Sequence, residues 1–213
     1  MVDVDARPLN WRFVVPSIPE RVLLLGPAGI APGGSGPVSA VEPTRDAAAL
    51  GEALDEAPYG AIAASDLDGW ARLNGAASPR AFLQRLADAV TPDGWLYLTV
   101  PNKLYPRRPA ARGSMTLAGC TRALEAAGFA ELETYVLLPD EQAPAYLVST
   151  GDRFALDHFL RRLFLPYVPG DGWKSRTERR ALAGMQRLAL HAPHGMRVAL
   201  APGYGIVARK AVR

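Results

Sequence analysis

Residues 21–26 are continuously apolar from Val22 to Leu25, the pattern of a parallel strand buried on both faces. A second short apolar run covers 37–42. Residues 44–54 then read as a helix capped by Thr44, and 59–64 as a third strand. Ser78 followed by Pro79 is an N-cap with proline at the first helical position. Phe82, Leu86 and Val90 follow at spacings of four and make one apolar face. Residues 95–100 form the next strand after a stop at 91–94. Thr116 opens another helix, which carries Leu117, Cys120, Leu124 and Ala127 and ends at Gly128. Residues 131–138 complete the series. Alternation of this kind predicts an α/β fold, a doubly wound Rossmann-like sheet.

Beyond Pro139 the pattern changes. Residues 139–151 form a proline-containing connection, 152–165 a helix with Leu156, Phe159, Leu160, Leu163 and Phe164 inward, and 176–190 a second helix after a loop. Residues 204–210 read as the last strand. We take 1–213 as a single domain and 139–195 as a helical cover insertion over the sheet's ligand edge.

Composition narrows the function classes. No uninterrupted apolar run reaches about 18 residues, and the acidic start lacks the apolar segment of a secretory signal. The single cysteine, Cys120, excludes a disulfide framework and a cysteine metal cluster. We expect a cytoplasmic protein. The net charge of +3 is spread along the chain without an aromatic and basic stripe, so nucleic acid is an unlikely partner.

The stretch from Gly26 to Gly36 follows the first strand as a nucleotide-binding turn would. Between Gly26 and Pro37, however, only about ten residues intervene, near the lower limit for a parallel crossover. Counted from Gly26 to Pro37, the segment holds three prolines and five glycines. Each interior proline costs a helix about 3 kcal/mol and each glycine about 1 kcal/mol. The crossover is therefore a loop. It lacks the oriented amides and positive helix end that help such turns hold polar ligands.

The succession of 21–29, 38–43, 59–70, 78–102 and 116–140 resembles the class I S-adenosylmethionine-dependent methyltransferases over roughly residues 20–140. The most specific part is central: a helix, Pro92-Asp93-Gly94, an apolar strand ending Val100-Pro101-Asn102, then a helix ending Ala126-Ala127-Gly128-Phe129. The resemblance implies a seven-stranded sheet of methyltransferase type with its last strand antiparallel, and S-adenosylmethionine lying across the strand C-termini. It implies Gly26 and Gly29 beside the methionine part of the cofactor and Glu42 on the ribose hydroxyls. Asp66 falls where adenine or substrate is contacted, and Asn102 where substrate-facing groups lie.

This chain departs from that pattern. Leu24 stands where the family has an acid, Pro27 and Ala28 replace small or polar turn residues, and no separate strand fits between Leu54 and Tyr59. The expectation is a retained fold with a decayed cofactor site and weak or absent S-adenosylmethionine binding. Such a protein would be an auxiliary subunit or a repurposed enzyme of small-molecule, secondary-metabolite biosynthesis. The alternative is an active small-molecule methyltransferase with His158 or Asp66 as the base. Tyr146 and Trp173 are candidate substrate contacts.

Each residue also has a structural reading. Asp66 and Asp68 suit a turn, Asn102 suits turn chemistry beside Pro101, and His158 suits a packed or surface helix position. His191 and His194 have no neighbouring acid to complete a metal trio, so no metal is expected. The expected partners are a small molecule or a second protein chain, identical or different. That chain would cover the sheet face left bare by the missing crossover helix, the face of either Val22 and Leu24 or Leu23 and Leu25.

Overall fold

The computed structural model describes residues 11–15, 17, 19–26, 38–41, 47–105, 115–138, 144–163 and 172–212. Its strands are β1 (Val22–Leu25), β2 (Val38–Val41), β3 (Tyr59–Ala64), β4 (Val90–Pro101), β5 (Phe129–Leu138), β6 (Tyr146–Ser149) and β7 (Gly203–Lys210). The α-helices are α1 (Ala47–Asp55), α2 (Leu67–Leu73), α3 (Pro79–Ala89), α4 (Leu117–Ala126), α5 (Arg153–His158), α6 (Trp173–His191) and α7 (His194–Ala199). A π-helical turn, Phe159–Leu163, continues α5.

All seven strands join one sheet in the order β2-β1-β3-β4-β7-β5-β6. The first four are parallel; β7 runs antiparallel between β4 and β5. This is the α/β, Rossmann-like sheet of methyltransferase type that the resemblance implies, with its last strand antiparallel. The seventh strand is not where the resemblance puts it. No strand lies between α1 and β3, which are separated only by the described residues 56–58. The sheet is instead completed at the far edge by β6, antiparallel to β5.

Local chemistry explains the helix starts. Ser78 Oγ accepts from Ala81 N at 3.2 Å with Pro79 inside the first turn, and Thr116 Oγ1 accepts from Gly119 N at 3.2 Å. Asp152 Oδ1 takes both Phe154 N and Ala155 N at 2.9 Å, satisfying donors that a helix start leaves open. Gly128 follows α4 at φ 95°, a conformation that suits glycine.

The side chains of β1 alternate as expected. Leu23 and Leu25 join Ile62, Leu96, Leu98 and Ile206 in the main core, beneath Leu50 and Leu54 of α1, Trp70 of α2, Phe82 and Leu86 of α3, and Leu124 of α4. The same face continues into a cluster of Val136, Leu138, Val148 and Tyr204 with Leu156 and Phe159. Val22 points to the opposite face, with Ala61, Ala63, Trp95, Tyr97 and Val207. Among the described residues no helix covers that second face. Its cover is the 3-10 turn at 11–13 and the residues after it: Trp11 is only 4% exposed, and Val14 and Val15 pack beside it.

Several expectations change. The connection after 139 contains β6, so the insertion begins by widening the sheet before its helices start. The turn expected around Asp66 and Asp68 opens α2. Trp173, expected in a loop, is the first residue of α6, entered from Gly172. The helix predicted at 152–165 is α5 continued by the wider π-turn, and α7 was not expected. The stop at 91–94 is part of β4: Tyr59 pairs with Val90 but Ala61 with Trp95, so β4 bulges there. Thr44, Phe164 and most of the 26–36 loop lie outside the described residues.

Candidate functional site

Three parallel strand exits meet at one edge of the sheet. β1 leaves through Gly26, β3 through Ser65 and Asp66, and β4 through Asn102. Ser65 N donates to Leu25 O at 2.7 Å, and Ser65 Oγ donates to the same oxygen at 3.3 Å. A Cβ placed on Gly26 would stand 2.9 Å from Ser65 Oγ. The close passage of two exits is thus one reason for glycine at 26. Gly29 and Glu42 lie outside the described residues.

Asp66 adopts left-handed backbone, φ 50°, and its Oδ1 accepts from Gly69 N at 3.1 Å to cap α2. Asp and Asn are among the few residues that take this conformation readily. Asn102 is 5% exposed and wholly engaged. Its Nδ2 donates to Ala199 O at 2.8 Å and Ala201 O at 2.6 Å, while its Oδ1 accepts from Leu104 N at 2.9 Å. Its backbone N donates to Pro202 O at 3.2 Å. The amide therefore ties the end of β4 to the approach of β7.

The remaining candidates lie elsewhere. Tyr146 stands on β6 with its ring edge-on to Phe159, centroids 4.8 Å apart. His158 ends α5 beside it, and both line a groove of about 590 Å³ with Phe13, Val14 and Val148. Four strand spacings separate β3 from β6, roughly 19 Å at the usual interval, so Asp66 and His158 do not form a pair. Trp173 is 74% exposed at the start of α6.

Residues not singled out by sequence add to the picture. Thr99 is buried on the second face, and its hydroxyl has no partner among the described residues. Tyr97 Oη would stand 3.2 Å from a Cβ on Gly205, and burial, with Tyr135 nearby, raises its pKa well above the ordinary tyrosine value. The only hint of this cluster is the polar interruption in the otherwise apolar run 95–100. Burial likewise pushes Tyr204 up to about 12; its hydroxyl donates to Val198 O at 2.8 Å. Among the described residues no three His, Cys, Asp or Glu side chains come together to hold a metal, and no helix is long and apolar enough to cross a membrane.

No family model and no curated protein matches the chain. Solved structures do. An S-adenosylmethionine-dependent methyltransferase from Archaeoglobus fulgidus is 14% identical, covering 96% of this chain and 93% of its own, with a TM-score of 0.46. The cyclase SpnF is 14% identical over 91% of this chain and 75% of its own, TM-score 0.44. A phosphoethanolamine N-methyltransferase of Haemonchus contortus is 12% identical over 98% of this chain and 52% of its own, TM-score 0.45. At these identities and scores, no residue's role passes from those proteins to this chain.

Proposed function

We propose that this chain is a methyltransferase-fold protein whose S-adenosylmethionine site has decayed. It acts as an auxiliary subunit or repurposed enzyme in small-molecule biosynthesis. The supporting observation is how the strand-exit side chains are used. Ser65 bonds to Leu25, Asp66 caps α2, and Asn102 binds three backbone groups. A cofactor with an amino acid, two ribose hydroxyls and an adenine needs polar partners at this edge, and the described residues offer it few that are not already engaged. The missing strand between α1 and β3 removes a further place for such groups. These residues do not fit the cofactor, so no methyl-transfer step is assigned to them.

Calorimetry with S-adenosylmethionine and S-adenosylhomocysteine tests the reading. The expected dissociation constant is above about 100 μM, less than roughly 5.5 kcal/mol of binding free energy. Low-micromolar binding overturns it and restores an active methyltransferase. Glu42→Ala should then cost about 1.5–3 kcal/mol, the value of hydrogen bonds to a charged acceptor.

A further inference from the structure

β6 is an edge strand whose outer side has no partner among the described residues. Its hydrogen-bond phase follows from its pairing with β5. Thr150 N donates to Thr134 O at 2.9 Å, and Val136 lies opposite Val148. Bonded and non-bonded pairs alternate along an antiparallel ladder. Val148 therefore faces β5, while Leu147 turns its N–H and C=O outward. Ser149 turns its N–H outward too, its carbonyl being taken by Asp152 N at 3.3 Å.

The groove of about 590 Å³ takes in both faces of this edge. On the second face stand Phe13, Val14 and Leu147, all apolar, with Phe13 86% exposed. On the first face stand Tyr146, Ala155, Phe159 and the imidazole of His158. Among the described residues, the helix along that side, α5 with its π-turn, carries more arginine than aspartate. Asp157 is held by Arg161 at 2.6 Å and Arg197 at 2.8 Å, and Asp152 caps α5, whereas Arg153 stacks over Phe154 at 4.9 Å. An exposed edge with open backbone groups is a template for another strand.

We infer that this edge binds an extended peptide segment of a partner protein, added as a further strand. Apolar side chains at alternate positions meet Phe13, Val14 and Leu147, and carboxylates between them meet the imidazole of His158. Backbone bonds to Leu147 and Ser149 set the register, and the unlike walls select the alternation. A second copy of this chain suits the edge less well, because self-pairing would bring two Arg153-bearing helices together.

The probe is the blocked peptide acetyl-Val-Asp-Val-Asp-Val-amide, titrated into the full chain by calorimetry, with amide hydrogen exchange as second readout. Saturable binding below about 1 mM is expected, with exchange at Leu147 and Ser149 slowed about tenfold or more. N-methylating the peptide amides that face β6 should weaken binding about tenfold, and N-methylating the alternate amides should not, since only the former enter the ladder. Phe13→Ser changes an exposed side chain, leaves the fold intact and should weaken binding several-fold. Replacing the aspartates by lysines should abolish it. Absence of saturable binding, or indifference to the N-methyl register, overturns the inference. So does concentration-dependent protection of the Leu147 amide without peptide, which would make a second copy the occupant.

Discussion

Asn102 gives both hydrogens of its side-chain amide to the segment entering the last strand, 2.8 Å to Ala199 O and 2.6 Å to Ala201 O. It joins the C-terminus of β4 to a segment almost a hundred residues away. Asn102→Ala removes three side-chain bonds at a buried site. The expected loss is about 2–4 kcal/mol, since unpaired buried groups cost about 1–3 kcal/mol each and local water relieves part of this. Urea unfolding measures it. A variant of unchanged stability would return Asn102 to a ligand-facing role.

Trp11 covers part of the second face of the sheet beside β1. It packs on Val22, Ala61, Ala63, Trp95, Tyr97 and Val207. Truncating a buried aromatic typically costs about 3–5 kcal/mol, and Trp11→Ala should fall in that range. It should also uncover apolar sheet surface, so light scattering should show self-association that the parent lacks at equal concentration. A soluble variant that stays monomeric and loses under about 1 kcal/mol would show that Trp11 is not the cover.

How much of this was legible in the sequence follows from where the physics is local. Continuous apolar strands, the Ser78 and Thr116 caps and the alternation of Val22 against Leu23 depend on neighbours in the chain, and the structure has them as read. β6 was not legible. Its four residues sit between prolines and a glycine-containing turn, and only pairing with β5 makes them a strand. The site was less legible still. Asp66 as a cap for α2 and Asn102 as a tie to Ala199 and Ala201 depend respectively on an unforeseen helix and on partners far along the chain. Trp11 gave no periodic signal because its partners belong to four strands.

A three-helix junction carries a pH signature. Arg197 donates to Asp157 at 2.8 Å, to Ala192 O at 2.9 Å and to Leu190 O at 2.7 Å, so one guanidinium holds α5 against the end of α6. Hydrogen bonds from Arg161 and then from Arg197 hold the Asp157 carboxyl below its ordinary value of 3.8. A carboxylate with a lowered folded pKa contributes stability that is present above the ordinary value. That contribution is lost as pH falls through the folded value. Asp157→Asn should therefore be less stable than the parent at neutral pH, and the two melting curves should converge below the ordinary carboxylate range. A gap that persists or widens in acid would assign the effect to lost packing instead.

Gly94 is closely packed where β4 meets β3. Asp93 takes φ 65° within the bulge of β4, and a Cβ on Gly94 would lie 2.7 Å from Gly60 O and 2.6 Å from Thr91 Oγ1. The first of these is backbone of the neighbouring strand and cannot swing aside as a side chain could. Gly94→Ala must therefore push β4 away from β3 where their register changes, between Tyr59 and Ala61. Overpacking of this kind costs about 1–3 kcal/mol. A control separates this from lost backbone freedom. Gly184 lies inside α6, and a Cβ added there would meet nothing within 4 Å among the described residues beyond its own helix backbone, so Gly184→Ala should stabilise slightly, by up to about 1 kcal/mol. Thermal unfolding of the two variants should thus move in opposite directions. If both rise, the approach of Gly60 to Gly94 is slack, and the glycine there reflects bulge conformation rather than strand contact.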